Sequence, residues 1–96
     1  MVYLRDERNV LVGLSSTVIA GVNGRRFRLT VSPTTTNPVW LSSTGPAIAG
    51  QGPVVIEGQT PTVYGEGGTG RAFDNQISAI SLNVPTYVNV VDEFWG

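Results

Sequence analysis

The chain of 96 residues contains no cysteine, no histidine and no lysine, and all six of its cations are arginine. Each absence removes chemistry. Without thiolates or imidazoles there is no disulfide framework, no His or Cys metal ligand and no Ser-His-Asp triad. Without lysine there is no Schiff base and no P-loop lysine. Charge is also sparse, at 14% of residues with a formal net charge of −1, against about 25% charged residues in an ordinary domain. That balance leaves no basic face of the kind nucleic acid requires, so no nucleic-acid partner is expected. No apolar run approaches the 18 residues that a membrane-spanning helix needs, so no membrane partner is expected either. The opening residues 1–8 are polar where a secretory signal would be apolar, so synthesis in a cytoplasm is expected.

What remains is a strand-forming composition. The length suits one domain. The 14 valines and 10 threonines are β-branched and favour a pleated backbone, while 12 glycines and 6 prolines punctuate it with turns. No window carries apolar residues at helical spacing over three turns. Short apolar or alternating runs occur instead at 10–14, 17–20, 25–32, 39–41, 53–56, 60–64, 77–82 and 87–91. They are separated by Asn23-Gly24, Asn37-Pro38, the small-residue stretch 45–53, Glu57-Gly58, a Gly-rich stretch 65–70 and Asn83-Val84-Pro85. Seven or eight short antiparallel strands at this spacing predict an all-β, single-domain β-sandwich of jelly-roll or immunoglobulin-like type. Residues 20–96 form its body, and residues 1–19 supply either an N-terminal arm or the first strands.

Few constellations carry chemistry. Gly65, Gly67 and Gly70 match the dinucleotide spacing G-x-G-x-x-G, with Asp92 22 residues on. That motif requires a strand before it and a helix after it, and a β-type stretch follows here, so the match is read as a Gly-rich loop. No cofactor and no metal site is expected. The carboxylate pairs Asp6/Glu7 and Asp92/Glu93 lie near the chain ends and read as solvated surface charge, in preference to a hydrolase pair. In 25–32, Phe27, Leu29 and Val31 alternate with Arg26, Arg28 and Thr30, which predicts Arg26 and Arg28 side by side on an outer face. Arginine there either solubilises the surface or binds a partner's carboxylates and carbonyls. Trp40 is expected half-buried or at a subunit contact. Phe94 and Trp95 either fold back onto the core or anchor in a neighbour. The candidate interface is therefore Arg26, Arg28, Trp40, Phe94 and Trp95, and no catalytic residue is assigned.

The order of motifs adds a resemblance. An Arg-led strand at 25–31 is followed by Asn37-Pro38-Val39-Trp40-Leu41-Ser42 and the loop Gly45-Pro46-Ala47-Ile48-Ala49-Gly50-Gln51-Gly52. A short strand, Glu57-Gly58-Gln59, Ile77-Ser78-Ala79-Ile80-Ser81 and Tyr87-Val88-Asn89-Val90-Val91 complete the series. Over about residues 20–93 this resembles small structural proteins of tailed bacteriophages, the capsid decoration (cement) or head accessory proteins. The resemblance implies a β-sandwich virion protein on the capsid exterior, a homotrimer whose partner is the major capsid protein. Similar patterns occur in phage proteins placed elsewhere in the virion. The alternative expectation is therefore a tail, adsorption or carbohydrate-binding module, with Trp40, Tyr64 and Tyr87 as an aromatic platform for sugar rings.

Overall fold

A computed structural model describes residues 2–65 and 75–96. They form eight strands and, among the described residues, no helix: β1 (Tyr3–Val12), β2 (Thr17–Ala20), β3 (Arg26–Pro33), β4 (Val39–Ser42), β5 (Val54–Val55), β6 (Thr62–Gly65), β7 (Ile77–Ser81) and β8 (Thr86–Trp95). Two four-stranded antiparallel sheets result, in the orders β1-β8-β3-β6 and β2-β7-β4-β5. Strand one pairs with eight, two with seven, three with six and four with five. The chain is thus one long hairpin, doubled back at β4–β5 and wrapped into two layers. That nested order is the jelly roll, an eight-stranded sandwich of two Greek keys; it decides between the two sandwich types the spacing allowed.

The core follows from alternation. Leu29 and Val31 of β3, Val88 and Val90 of β8, Val12 of β1 and Tyr64 of β6 face inward from the first sheet. Ile19, Val39, Leu41, Val55, Ile77 and Ala79 meet them from the second. Fully burying such side chains contributes about 1.5–3 kcal/mol each. Short polar links close the ends. Asn37 Nδ2 donates to Ser81 Oγ at 2.9 Å and to Thr86 Oγ1 at 2.7 Å, and Ser81 Oγ donates to the Val84 carbonyl at 2.5 Å. This network ties the entry of β4 to the β7–β8 connection, where Asn83 takes a left-handed φ of 67°. Gly52 (φ +82°) is required sterically, since a Cβ there would lie 2.6 Å from the Leu41 carbonyl oxygen.

Two strands differ from the sequence expectation. The first, β1, begins at Tyr3 and not at Val10. It is the edge of its sheet, and its N-terminal half is wet on both faces, so no apolar alternation marks it. The last, β8, runs on to Trp95, well past Val91. The Gly-rich stretch lies outside the described residues from 66 to 70, so the dinucleotide-like spacing has no structural counterpart to describe.

Candidate functional site

The site is built by one irregularity. Pairing of β3 with β8 runs Arg28↔Glu93 and then Arg26↔Phe94, leaving Phe27 as an extra residue in a β-bulge. A bulge shifts the side-chain alternation of everything beyond it. Leu29 and Val31 face the core as expected, but Arg26 now faces inward too and is only 2% exposed. Phe27 is carried to the outer face, beside Arg28. The expectation that Arg26 and Arg28 share an outer face, with Phe27 beneath, is therefore corrected: one inserted residue exchanges Arg26 for Phe27.

On the outer face Phe27 meets one end of the β1·β8 ladder, where Tyr3 pairs with Trp95. Phe27 and Trp95 stack with centroids 4.8 Å apart and planes inclined by 30°. Tyr3 lies 5.9 Å from Phe27 and 6.4 Å, edge-on, from Trp95. Tyr3 and Trp95 remain well exposed. Beside the cluster, Arg28 Nε and Nη2 donate to Glu93 Oε1 and Oε2 at 2.6 and 2.7 Å, and Tyr3 Oη donates to Glu93 Oε2 at 2.5 Å. The Arg28 guanidinium also sits 5.9 Å from the Phe27 centroid, within cation–π range. Arg28 holds the Glu93 carboxyl down at about 2, against the opposing effect of burial and with help from the Tyr3 hydroxyl. The same hydrogen bond to Glu93 raises the Tyr3 hydroxyl above its ordinary range. The outcome is an aromatic surface of three rings in mutual contact, with a paired charge at its border.

Behind it, Arg26 forms a two-point ion pair with Asp92, which is 7% exposed. Arg26 also donates to the carbonyls of Gly21 and Asn75 at 2.8 and 2.9 Å. The reading of Asp92 and Glu93 as solvated charge is overturned, because both are buried and each is bound by an arginine. They are consecutive residues on a strand and point to opposite faces, so they do not flank a common bond as a glycosidase pair does. Asp6 and Glu7 are exposed, with Glu7 paired to Arg5 and Asp6 to Arg8.

The five candidate interface residues therefore separate. Arg28 and Trp95 come together in the aromatic face; Arg26 lies behind it in the interior. Phe94 points the opposite way from Trp95 and is partly buried, opposite Leu4 and Arg26 in the register. Trp40 belongs to the other sheet, on its outer face, between Val54 and Ile80. The platform of Trp40, Tyr64 and Tyr87 is not formed: Tyr64 is 3% exposed in the core, and Tyr87 lies on the outer face of the sheet opposite Trp40's. Sequence reasoning missed Tyr3 and Phe27. The usable signal was an aromatic residue at the first position of β1, Tyr3, and at the last of β8, Trp95, two strands whose pairing the sequence does not display.

Among the described residues no group of three or more His, Cys, Asp and Glu is placed to hold a metal ion. No helix of the described residues is long and apolar enough to cross a membrane. No family model, no curated protein and no solved structure matches the chain.

Proposed function

We propose that this chain is a structural virion protein, a decoration or cement protein of a tailed-bacteriophage head. It binds the outer surface of the assembled capsid and stabilises contacts between major capsid subunits. The observation that carries this reading is the face made by Tyr3, Phe27 and Trp95 with the Arg28–Glu93 pair at its edge. Aromatic and arginine anchors of this kind concentrate binding energy at protein interfaces. Two further points support it. Jelly rolls serve viral capsids and lectins, an analogy at the level of fold alone. The elements that carry the phage resemblance run through both sheets, 25–31 and Tyr87–Val91 in the first, Asn37–Ser42 and Ile77–Ser81 in the second, so the resemblance covers the body of the sandwich. Such a protein acts without reactive side chains, by shape and by repetition of a modest contact over a lattice.

Purified chain mixed with heads that lack it is the test. Co-sedimentation with assembled heads, little binding to free capsid subunits, and a raised temperature of head disruption are expected. Binding to a glycan array through the same aromatic face, with none to heads, would move the chain to the adsorption reading. Immunogold labelling of whole virions separates head from tail placement.

A further inference from the structure

The strand β1 is an edge, with β8 on one side and no strand on the other among the described residues. It is ten residues long, and Tyr3, Leu4, Arg5, Asp6 and Glu7 are all exposed. Its hydrogen-bonding parity can be read from its two ends. Gly96 N donates to the Val2 carbonyl at 2.7 Å, across the β1·β8 ladder, whereas the Gly13 carbonyl turns away and accepts from Ser81 N at 3.0 Å. In an antiparallel ladder the N–H and C=O of one residue point to the same side, and successive residues alternate. Even-numbered residues of β1 thus bond to β8, and Tyr3, Arg5, Glu7, Asn9 and Leu11 direct their backbone groups outward. A long strand with an open row of donors and acceptors is a template for another strand.

We infer that β1 pairs with β1 of a second copy, antiparallel and in register about Glu7, joining two sandwiches through one continuous eight-stranded sheet. The register follows from the side chains. With Glu7 on the twofold axis, Asp6 of each copy lies opposite Arg8 of the other, Leu4 opposite Val10 and Tyr3 opposite Leu11. Apolar residues meet apolar ones and opposite charges meet twice, the cross-strand pairs that stabilise a sheet. The facing Glu7 carboxylates are each flanked by an Arg5, already 2.9 Å from Glu7 within the chain. Moving the axis to Asp6 sets Asp6 against Asp6 and Leu4 against Arg8; moving it to Arg8 sets Arg8 against Arg8. A shift by one residue opposes outward backbone groups with inward ones and turns the sandwiches to opposite faces.

The consequence reaches the aromatic face. Leu11 and Tyr87, paired in the ladder, are both about half exposed at the far end of the same outer surface. Twofold pairing brings this end of one copy beside Tyr3 of the other, so each aromatic cluster is extended by Leu11 and Tyr87 of the second copy. The inference stands apart from the phage reading and replaces the trimer implied by the resemblance with a dimer.

Two sets of variants test it, with mass measured by light scattering on the full chain. Asp6→Arg and Arg8→Asp should each weaken dimerisation about tenfold or more. Mixed in equal amounts they should restore it, since the first copy then offers two arginines to the second copy's two aspartates. Glu7→Pro removes an N–H that β8 does not use, and should give a folded monomer. In a chain without cysteine, Glu7→Cys should oxidise to a linked dimer and Val22→Cys, on an exposed loop, should not. A monomeric or trimeric wild type, a mixture that stays monomeric, or a Glu7→Pro variant that unfolds would each overturn the inference.

Discussion

Arg26 and Asp92 are joined at two points, Nε to Oδ1 at 2.7 Å and Nη2 to Oδ2 at 3.0 Å, both side chains buried in the interior. The Arg26 guanidinium also holds the carbonyls of Gly21 and Asn75, which flank the end of β2·β7 where Ala20 pairs with Ile77. Every buried side-chain nitrogen and oxygen among the described residues has a hydrogen-bond partner. The pair therefore anchors the bulge that presents Phe27, and the surface depends on a charge behind it.

Removing one partner should be far worse than removing both. Arg26→Met leaves Asp92 buried and unpaired, a loss of about 3–5 kcal/mol, which is much of the stability of a small domain. The double variant Arg26→Met/Asp92→Leu should recover a good part of it. Urea unfolding midpoints of the two single variants and the double variant measure this directly.

Acid should weaken the fold through Glu93. Its folded pKa, about 2, lies below the ordinary 4.5 because Arg28 favours the carboxylate. A depressed carboxyl contributes stability that is complete above the unfolded value and is lost as pH falls toward the folded one. Melting temperature should therefore decline between about pH 4.5 and 2, and Glu93→Gln should flatten that decline. Equal slopes for wild type and variant over this interval would assign the acid sensitivity elsewhere.

Gly52→Ala should destabilise the protein by about 1–3 kcal/mol, through a strained left-handed backbone and a clash with the Leu41 carbonyl. Gly50→Ala, also at positive φ (84°) but in open space, should cost only the backbone strain. Thermal melts of the two variants separate the steric from the conformational part.

Trp95→Ala should cost about 0.5–1.5 kcal/mol of stability through the lost stack on Phe27, yet reduce binding to heads about tenfold or more. Trp40→Ala, on the other sheet, should leave head binding unchanged. Sedimentation of each variant with heads gives the comparison. Point substitution is preferable to deleting residues 94–96, because Trp95 N and Gly96 N bond to the Arg25 and Val2 carbonyls and hold β3 and β1 against β8.

The β-sandwich was legible because valine, threonine and paired turn residues mark strands without any knowledge of their neighbours. Val39, Leu41, Leu29 and Val31 are in the core where alternation places them. The candidate site was not legible, for two physical reasons. A β-bulge is a property of two strands, and nothing local to residues 26–28 shows that Phe27 has no partner opposite. Similarly, Asp92 and Glu93 look like terminal surface charge until arginines about 65 residues upstream are brought against them. Charge-rich β1 was hidden by its own exposure, since an edge wet on both faces has no pattern to display.

The nested pairing of the strands also dictates how slowly the protein forms. The innermost pair, β4·β5, closes a short loop, but each pair outside it spans more chain, until Tyr3 reaches Glu93 from 90 residues away. The entropy of closing such loops is lost before the contacts repay it, so folding should fall in the millisecond-to-second range typical of non-local β topologies. The aromatic face, assembled from both extremities of the hairpin and its bulge, is then the last surface to exist. Only a molecule that has finished folding can present it.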